Sequence, residues 1–183
     1  TCIFSQNYID IFKVNAASTP YNKFDSGTAQ TKINQLDADL TVPIKITDQA
    51  IMISGMIYEN IQTKLFADEN MKKFGSVTLK LGANKQFNDH WSGVMVLLPK
   101  IASDYISVGK KDFQIGALVN MKYKKSENLN YKFGLYYNSE LFGPFFVPMA
   151  GMYYLSENKK FETNIMLPLQ ADVNYKLVPW MNV

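Results

Sequence analysis

The sequence predicts an all-β fold, an antiparallel up-and-down meander of about nine or ten strands joined by short turns. Three observations predict it. Apolar and polar residues alternate with a period of two along nearly the whole chain, and that period sends successive side chains to opposite faces of a strand. Turn-forming clusters such as Thr47-Asp48-Gln49, Asn88-Asp89-His90 and Ser126-Glu127-Asn128 punctuate the alternation. No stretch keeps a convincing 3.6-residue period, and the longest uncharged run, residues 141–156, is broken by Gly143, Pro144, Pro148 and Gly151, so no transmembrane helix is expected.

The elements follow in order. A first strand is expected around residues 10–17. In the next, Leu36, Ala38, Leu40, Val42, Ile44 and Ile46 alternate with Asp37, Asp39, Thr41, Pro43 and Lys45. After the turn at residues 47–49, Ile51, Ile53, Ile57, Ile61 and Leu65 are expected to share the apolar face of a strand over residues 50–66. Val77, Leu79, Leu81 and Ala83 then alternate with Thr78, Lys80, Gly82 and Asn84, and residues 91–102 form the hairpin partner.

Beyond a loop at residues 103–111, Phe113, Ile115, Ala117, Val119, Met121 and Tyr123 oppose Asp112, Gln114, Gly116, Asn120 and Lys122, with Leu118 breaking the polar set. Tyr131, Phe133, Leu135 and Tyr137 oppose Lys132, Gly134, Asn138 and Glu140 in the following strand. Residues 142–155 are apolar on both faces, which leaves their register open. From Phe161 to Leu177 the alternation runs without a change of phase and predicts one strand, with Glu162, Asn164, Gln170, Asp172 and Lys176 on its polar side. Residues 179–183 read as a turn entering a further strand, so the fold is expected to be truncated at its C-terminus.

Alternation alone fits both a soluble barrel, which buries its apolar face, and a transmembrane barrel, which turns that face to lipid. Strand length favours the second: several strands keep phase over ten or more residues, where about five or six is common in soluble proteins. Phe113 and Tyr123 bracket one apolar face at a spacing that spans about 25 Å after tilt, the height of a lipid-facing band. The other face is rich in Gly, Asn and Gln, as suits a wet, crowded lumen. Lumen-facing candidates are Asp37, Asp39, Lys45, Lys80, Gln114, Asn120, Lys122, Lys132, Asn138, Glu140, Glu162 and Asn164; with Lys13, Lys100, Lys176, Asp112 and Asp172 added, the charges of the polar face nearly cancel. Phe142, Gly143, Pro144, Phe145 and Phe146 form a candidate functional loop, because Gly and Pro fix its backbone and its aromatics are costly to leave in water.

Several function classes are disfavoured. All 19 basic residues are lysine, so the fork of donors that reads guanine or phosphate is missing and nucleic acid is not an expected partner. His90 is the only histidine and Cys2 the only cysteine, too few for a zinc or iron site or a convincing triad, so neither cofactor nor enzymatic activity is expected. Residues 1–6, Thr-Cys-Ile-Phe-Ser-Gln, look like the end of an apolar signal segment, which leaves residues 7–183 as the barrel portion.

The runs Leu98-Pro99-Lys100-Ile101-Ala102-Ser103-Asp104 and Lys111-Asp112-Phe113-Gln114, with Tyr131-Lys132-Phe133-Gly134-Leu135-Tyr136-Tyr137-Asn138 continuing through residues 139–148, resemble an uncharacterised family of Bacteroidetes-type outer-membrane β-barrel proteins. The resemblance covers residues from about 10 to the end and is most specific at residues 140–148. It implies a bacterial outer-membrane location and a longer complete protein, and it supplies no catalytic residues. The expectation is therefore a non-enzymatic barrel in contact with outer-membrane lipid, either a passive or weakly selective channel for small solutes or a structural or assembly barrel with a closed lumen. A soluble β-barrel binding an apolar ligand is the third reading.

Overall fold

A computed structural model describes residues 11–25, 29–64, 66, 70–106, 108–140, 143–178 and 181–182. The signal remnant expected at residues 1–6, as well as Leu65 and Phe142, lies outside them. The alternating stretches become strands: β1 (Phe12–Ser18), β2 (Asn22–Lys23), β3 (Gln30–Thr31), β4 (Asn34–Thr47), β5 (Ala50–Thr63), β6 (Lys72–Gln86), β7 (Trp91–Ser103), β8 (Phe113–Ser126), β9 (Leu129–Glu140), β10 (Gly143–Leu155), β11 (Phe161–Leu167), β12 (Gln170–Val178) and β13 (Met181–Asn182). A single 3-10 turn, Lys110–Asp112, precedes β8, and no α-helix occurs among the described residues.

The main sheet is a meander in the order β1-β4-β5-β6-β7-β8-β9-β10-β11-β12-β13, with β2 and β3 pairing as a separate small hairpin. The ladders β1–β4, β8–β9, β9–β10, β10–β11, β11–β12 and β12–β13 are antiparallel, and among the described residues no pairing joins the two ends of this order. The strands are long; β4, β5 and β8 each have 14 residues and β6 has 15. By contacts the chain divides into two compact units, Thr1–Val42 with Ser54–Lys80 and Pro99–Phe113, and Pro43–Ile53 with Leu81–Leu98 and Gln114–Val183.

Three expectations need correction. Residues 161–177 are two strands, not one. Met166 pairs with Gln170 and Ile165 with Ala171, so the turn at Pro168 is centred on a residue, and odd positions stay on one face before and after it. Alternation cannot register such a reversal. Glu59 accepts a 2.6 Å hydrogen bond from Ser76 on the polar face, so by strand alternation the whole odd-numbered set, Ile51, Ile53, Ile57 and Ile61, lies on that side, and the exposed Met52 and Met56 take the other. The β2–β3 hairpin was not expected at all, because two-residue strands carry no period.

Segment 143–155, unreadable from its composition, has a fixed register. Phe146 pairs with Tyr137, Met149 with Gly134 and Gly151 with Lys132. Pro144, Phe146, Pro148, Ala150, Met152 and Tyr154 are exposed, while the residues between them are half-buried or buried. Gly151 is required by close approach, since a Cβ there would overlap the carbonyl oxygen of Ile165 on β11.

Burial runs opposite to that of a protein folded around an apolar core. Among the described residues forty large apolar side chains are exposed, and the only buried ones are Met149 and Met166. Within the first unit, Val77 and Leu79 are 39% and 44% exposed while Ser76 and Thr78 between them are 8% exposed. Within the second, Ile115 is 41% exposed beside Gln114 at 5%. Thr163 is the informative exception: it lies on the apolar face, pairs with Val173, and is buried with its hydroxyl donated to the backbone carbonyl of Asp172 at 3.1 Å.

Candidate functional site

The polar face is the candidate site, because alternation collects there most of the charged and amide side chains of the long strands. In the first unit it carries three separate groups of paired polar side chains. Lys80 donates to the Asp39 carboxylate and, at 2.8 Å, to the Thr41 hydroxyl. Glu59 accepts from Ser76 at 2.6 Å and faces the Lys100 ammonium at 3.4 Å. Asp37 takes the Gln35 amide at 2.8 Å through Oδ2, while its Oδ1 is buried without a partner. Of the four side chains in these two ion pairs Lys80 is the least exposed, at 16%, so its pairing with Asp39 offsets a real desolvation cost.

In the second unit the polar face is organised differently. Lys122 stands directly opposite Lys132, and Asn120 opposite Gly134. Lys132 reaches across Gly151 to donate to Asn164 Oδ1 at 2.5 Å. The carboxylates engage neutral donors: Glu162 accepts from Tyr153 at 3.1 Å and Asp172 from Gln170 at 2.7 Å. The side-chain oxygens of Gln114, Asn120 and Asn130 are buried without a partner. Asn138 pairs with Gly116 in the ladder. A half-open cavity of about 380 Å³ at the turns Asp48–Gln49 and Asn88–His90 is lined by Asn84, Gln86, Ser92, Lys122 and Lys124.

Of the remaining candidates, Lys45 sits near the end of β4 and pairs with Asp48 at 2.6 Å, both largely exposed, an arrangement worth little energy. Glu140 pairs through its backbone with Gly143, and its side chain lies outside the described residues. Gly143, Pro144, Phe145 and Phe146 open β10 instead of forming a free loop, with Gly143 at φ 119°. Phe145 lies edge-on to Tyr136 at 6.0 Å on the polar side, and Phe146 packs on Tyr137 at 4.9 Å on the apolar side.

Aromatics on the apolar face of the second unit fall into rows. Trp91 and Tyr123 are 5.0 Å apart, Tyr123 pairs with Tyr131, Tyr154 lies 6.3 Å from Phe161, and Phe161 pairs with Tyr175. Tyr137 and Phe146 mark the opposite ends of their strands. From Phe146 to Tyr154 the chain rises about 26 Å along β10.

His90 sits in the turn before β7; its backbone N–H donates to Asn88 Oδ1 at 2.9 Å and its ring stacks on Tyr123 at 6.1 Å. Among the described residues no group of three or more His, Cys, Asp or Glu side chains converges as metal ligands would. Two features escaped the sequence reading. Tyr105, at φ 66°, folds back so that its hydroxyl accepts from Asn60 at 2.9 Å, lies 3.4 Å from the Tyr58 hydroxyl and occupies the space above Gly75. Met149 and Met166 form an apolar island on the polar face; the even spacing of Met166 from Glu162 and Asn164 was the available signal.

No curated protein and no solved structure matches the chain. A family model does, over residues 1–183, and on that match the chain belongs to DUF6268, a domain of unknown function.

Proposed function

We propose that the protein is a non-enzymatic β-barrel protein of a bacterial outer membrane, whose apolar face meets lipid and whose polar face lines a passive or weakly selective passage for small solutes. One observation carries this reading: most of the exposed large apolar side chains lie on one face while serine, threonine, glutamine and paired charges are buried or half-buried on the other. Removing a Leu, Ile or Phe side chain from water gains roughly 1.5–3 kcal/mol, so such a face suits hydrocarbon far better than water. A soluble barrel that held an apolar ligand would turn the apolar set inward.

The strand lengths support the same reading, since about 9–11 tilted residues cross a bilayer. So do the aromatic rows, which match the interfacial girdles of transmembrane barrels. Membership of an outer-membrane family of Bacteroidetes type is part of the proposal and rests on the resemblance at residues 131–148. The second reading, a barrel with a closed lumen, is favoured by the Asp39–Lys80 and Glu59–Lys100 pairs, which reach over an intervening strand, from β4 to β6 and from β5 to β7, and would fill space that a passage leaves open. Fractionation tests the location: recovery of the full-length protein in a detergent-free soluble fraction would remove the membrane reading. Conductance across planar bilayers separates passage from closure.

A further inference from the structure

The two buried apolar side chains, Met149 and Met166, lie where an aqueous face has no structural need of them. Their ε-methyl groups converge above Gly134, where a Cβ would stand 2.7 Å from the first and 3.1 Å from the second. Beside them opens a cavity of about 230 Å³, whose wall continues through Leu118, Asn120, Lys132 and Asn164. One side of this cavity is apolar; the other carries an ammonium group and the amides of Asn120, Asn164 and Gln170.

The polar side is unevenly satisfied. Lys132 has Asn164 Oδ1 at 2.5 Å, a neutral acceptor, and Lys122 stands across the ladder as a second positive charge. The carboxylates of β11 and β12 are engaged by neutral donors, Glu162 by Tyr153 and Asp172 by Gln170. Asn120 Oδ1 is buried without a partner, so its amide has unused hydrogen-bonding capacity, and a half-turn about its last bond presents the NH₂ group instead.

We propose that this cavity binds the carboxylate of a small solute bearing a short apolar tail. The Lys132 ammonium takes the carboxylate through a charge-assisted hydrogen bond, the Asn120 and Asn164 amides supply further donors, and the tail lies on Met149, Met166 and Leu118. Methionine suits the role, because its unbranched, polarisable chain adapts to tails of different shape. The inference rests on the reading of the polar face as one that meets solutes, and names their class.

The test uses the full chain in zwitterionic micelles with its methionine methyl groups labelled with carbon-13, titrated with pentanoate. The two resonances are assigned through Met149→Leu and Met166→Leu. Pentanoate is expected to shift both, and Lys132→Met to weaken binding about 10- to 100-fold, the loss of one charge-assisted bond. Lys132→Arg should restore binding, and Asn120→Ala should weaken it several-fold, so the inference stays testable should Lys132→Met not fold. Absence of shifts overturns the proposal. So do equal shifts by pentanol, which would mean a purely apolar pocket, or by inorganic phosphate, which would mean an anion site without a tail. The readout needs no ion flow: a barrel that conducts nothing yet shows the shifts counts against the passage alone, and conductance without shifts counts against this site alone.

Discussion

At the scale of single residues, the apolar face makes charge tolerance a matter of depth. Val119 pairs with Leu135, between the aromatic rows, whereas Ala117 pairs with Tyr137 within one of them. Val119→Lys is expected to cost about 2 to 4 kcal/mol in lipid and Ala117→Lys clearly less, because the lysine chain reaches the interface from there. Urea unfolding of both variants in vesicles measures the difference; equal costs would contradict the assignment of that face to lipid. On the polar face, Asp39→Asn strands the Lys80 ammonium, which is only 16% exposed. A loss of about 1–3 kcal/mol is expected, most of it recovered in the double variant Asp39→Asn/Lys80→Gln, since a buried charge without its partner costs more than the pair is worth. A double-mutant cycle reads this directly.

At the scale of elements, backbone approach decides what a strand tolerates. Gly151→Ala sets a methyl against the carbonyl of Ile165, which cannot swing aside as a side chain would, and is expected to destabilise by about 1–3 kcal/mol. Gly109→Ala, whose Cβ would meet only Asp112 Oδ2 at 3.8 Å, is expected to be near neutral in the same unfolding experiment. Strands with one apolar and one polar face were legible in the sequence, and β8 and β9 have the faces that alternation assigns them. β10 was not legible, because Phe145, Val147 and Met149 are as apolar as Phe146, Pro148 and Ala150; only the ladder to β9 separates the two sets. The β11–β12 turn was hidden by a reversal that preserves parity, and the faces of β5 by its isoleucines, which share the side of Glu59 while Met52 and Met56 are exposed on the other. The candidate site was partly legible for the same reason: its charges lie at alternating positions, but which lysine meets a carboxylate and which meets another lysine depends on pairings between strands that a single strand's pattern does not contain.

At the scale of the whole molecule, the proposed membrane setting makes a spectroscopic prediction. Trp91 packs against Tyr123 in the aromatic row of the second unit. In the Trp180→Phe variant, which leaves Trp91 as the one tryptophan, lipids brominated near the headgroup are expected to quench its fluorescence more strongly than lipids brominated near the chain ends. The reverse order would move this row out of the interface.

The meander also has a kinetic consequence. From β4 to β12 every strand pairs with its neighbour in sequence, so each new ladder closes only a short loop, and the entropy lost per step stays small. The β1–β4 ladder differs, since Ser18 must find Asn34 across the intervening β2–β3 segment. Hairpins from β4 onward can therefore zip one after another, with β1 docking onto a sheet that already exists, and the earliest amides to gain protection from hydrogen exchange during refolding should lie in the tight hairpins and not in β1.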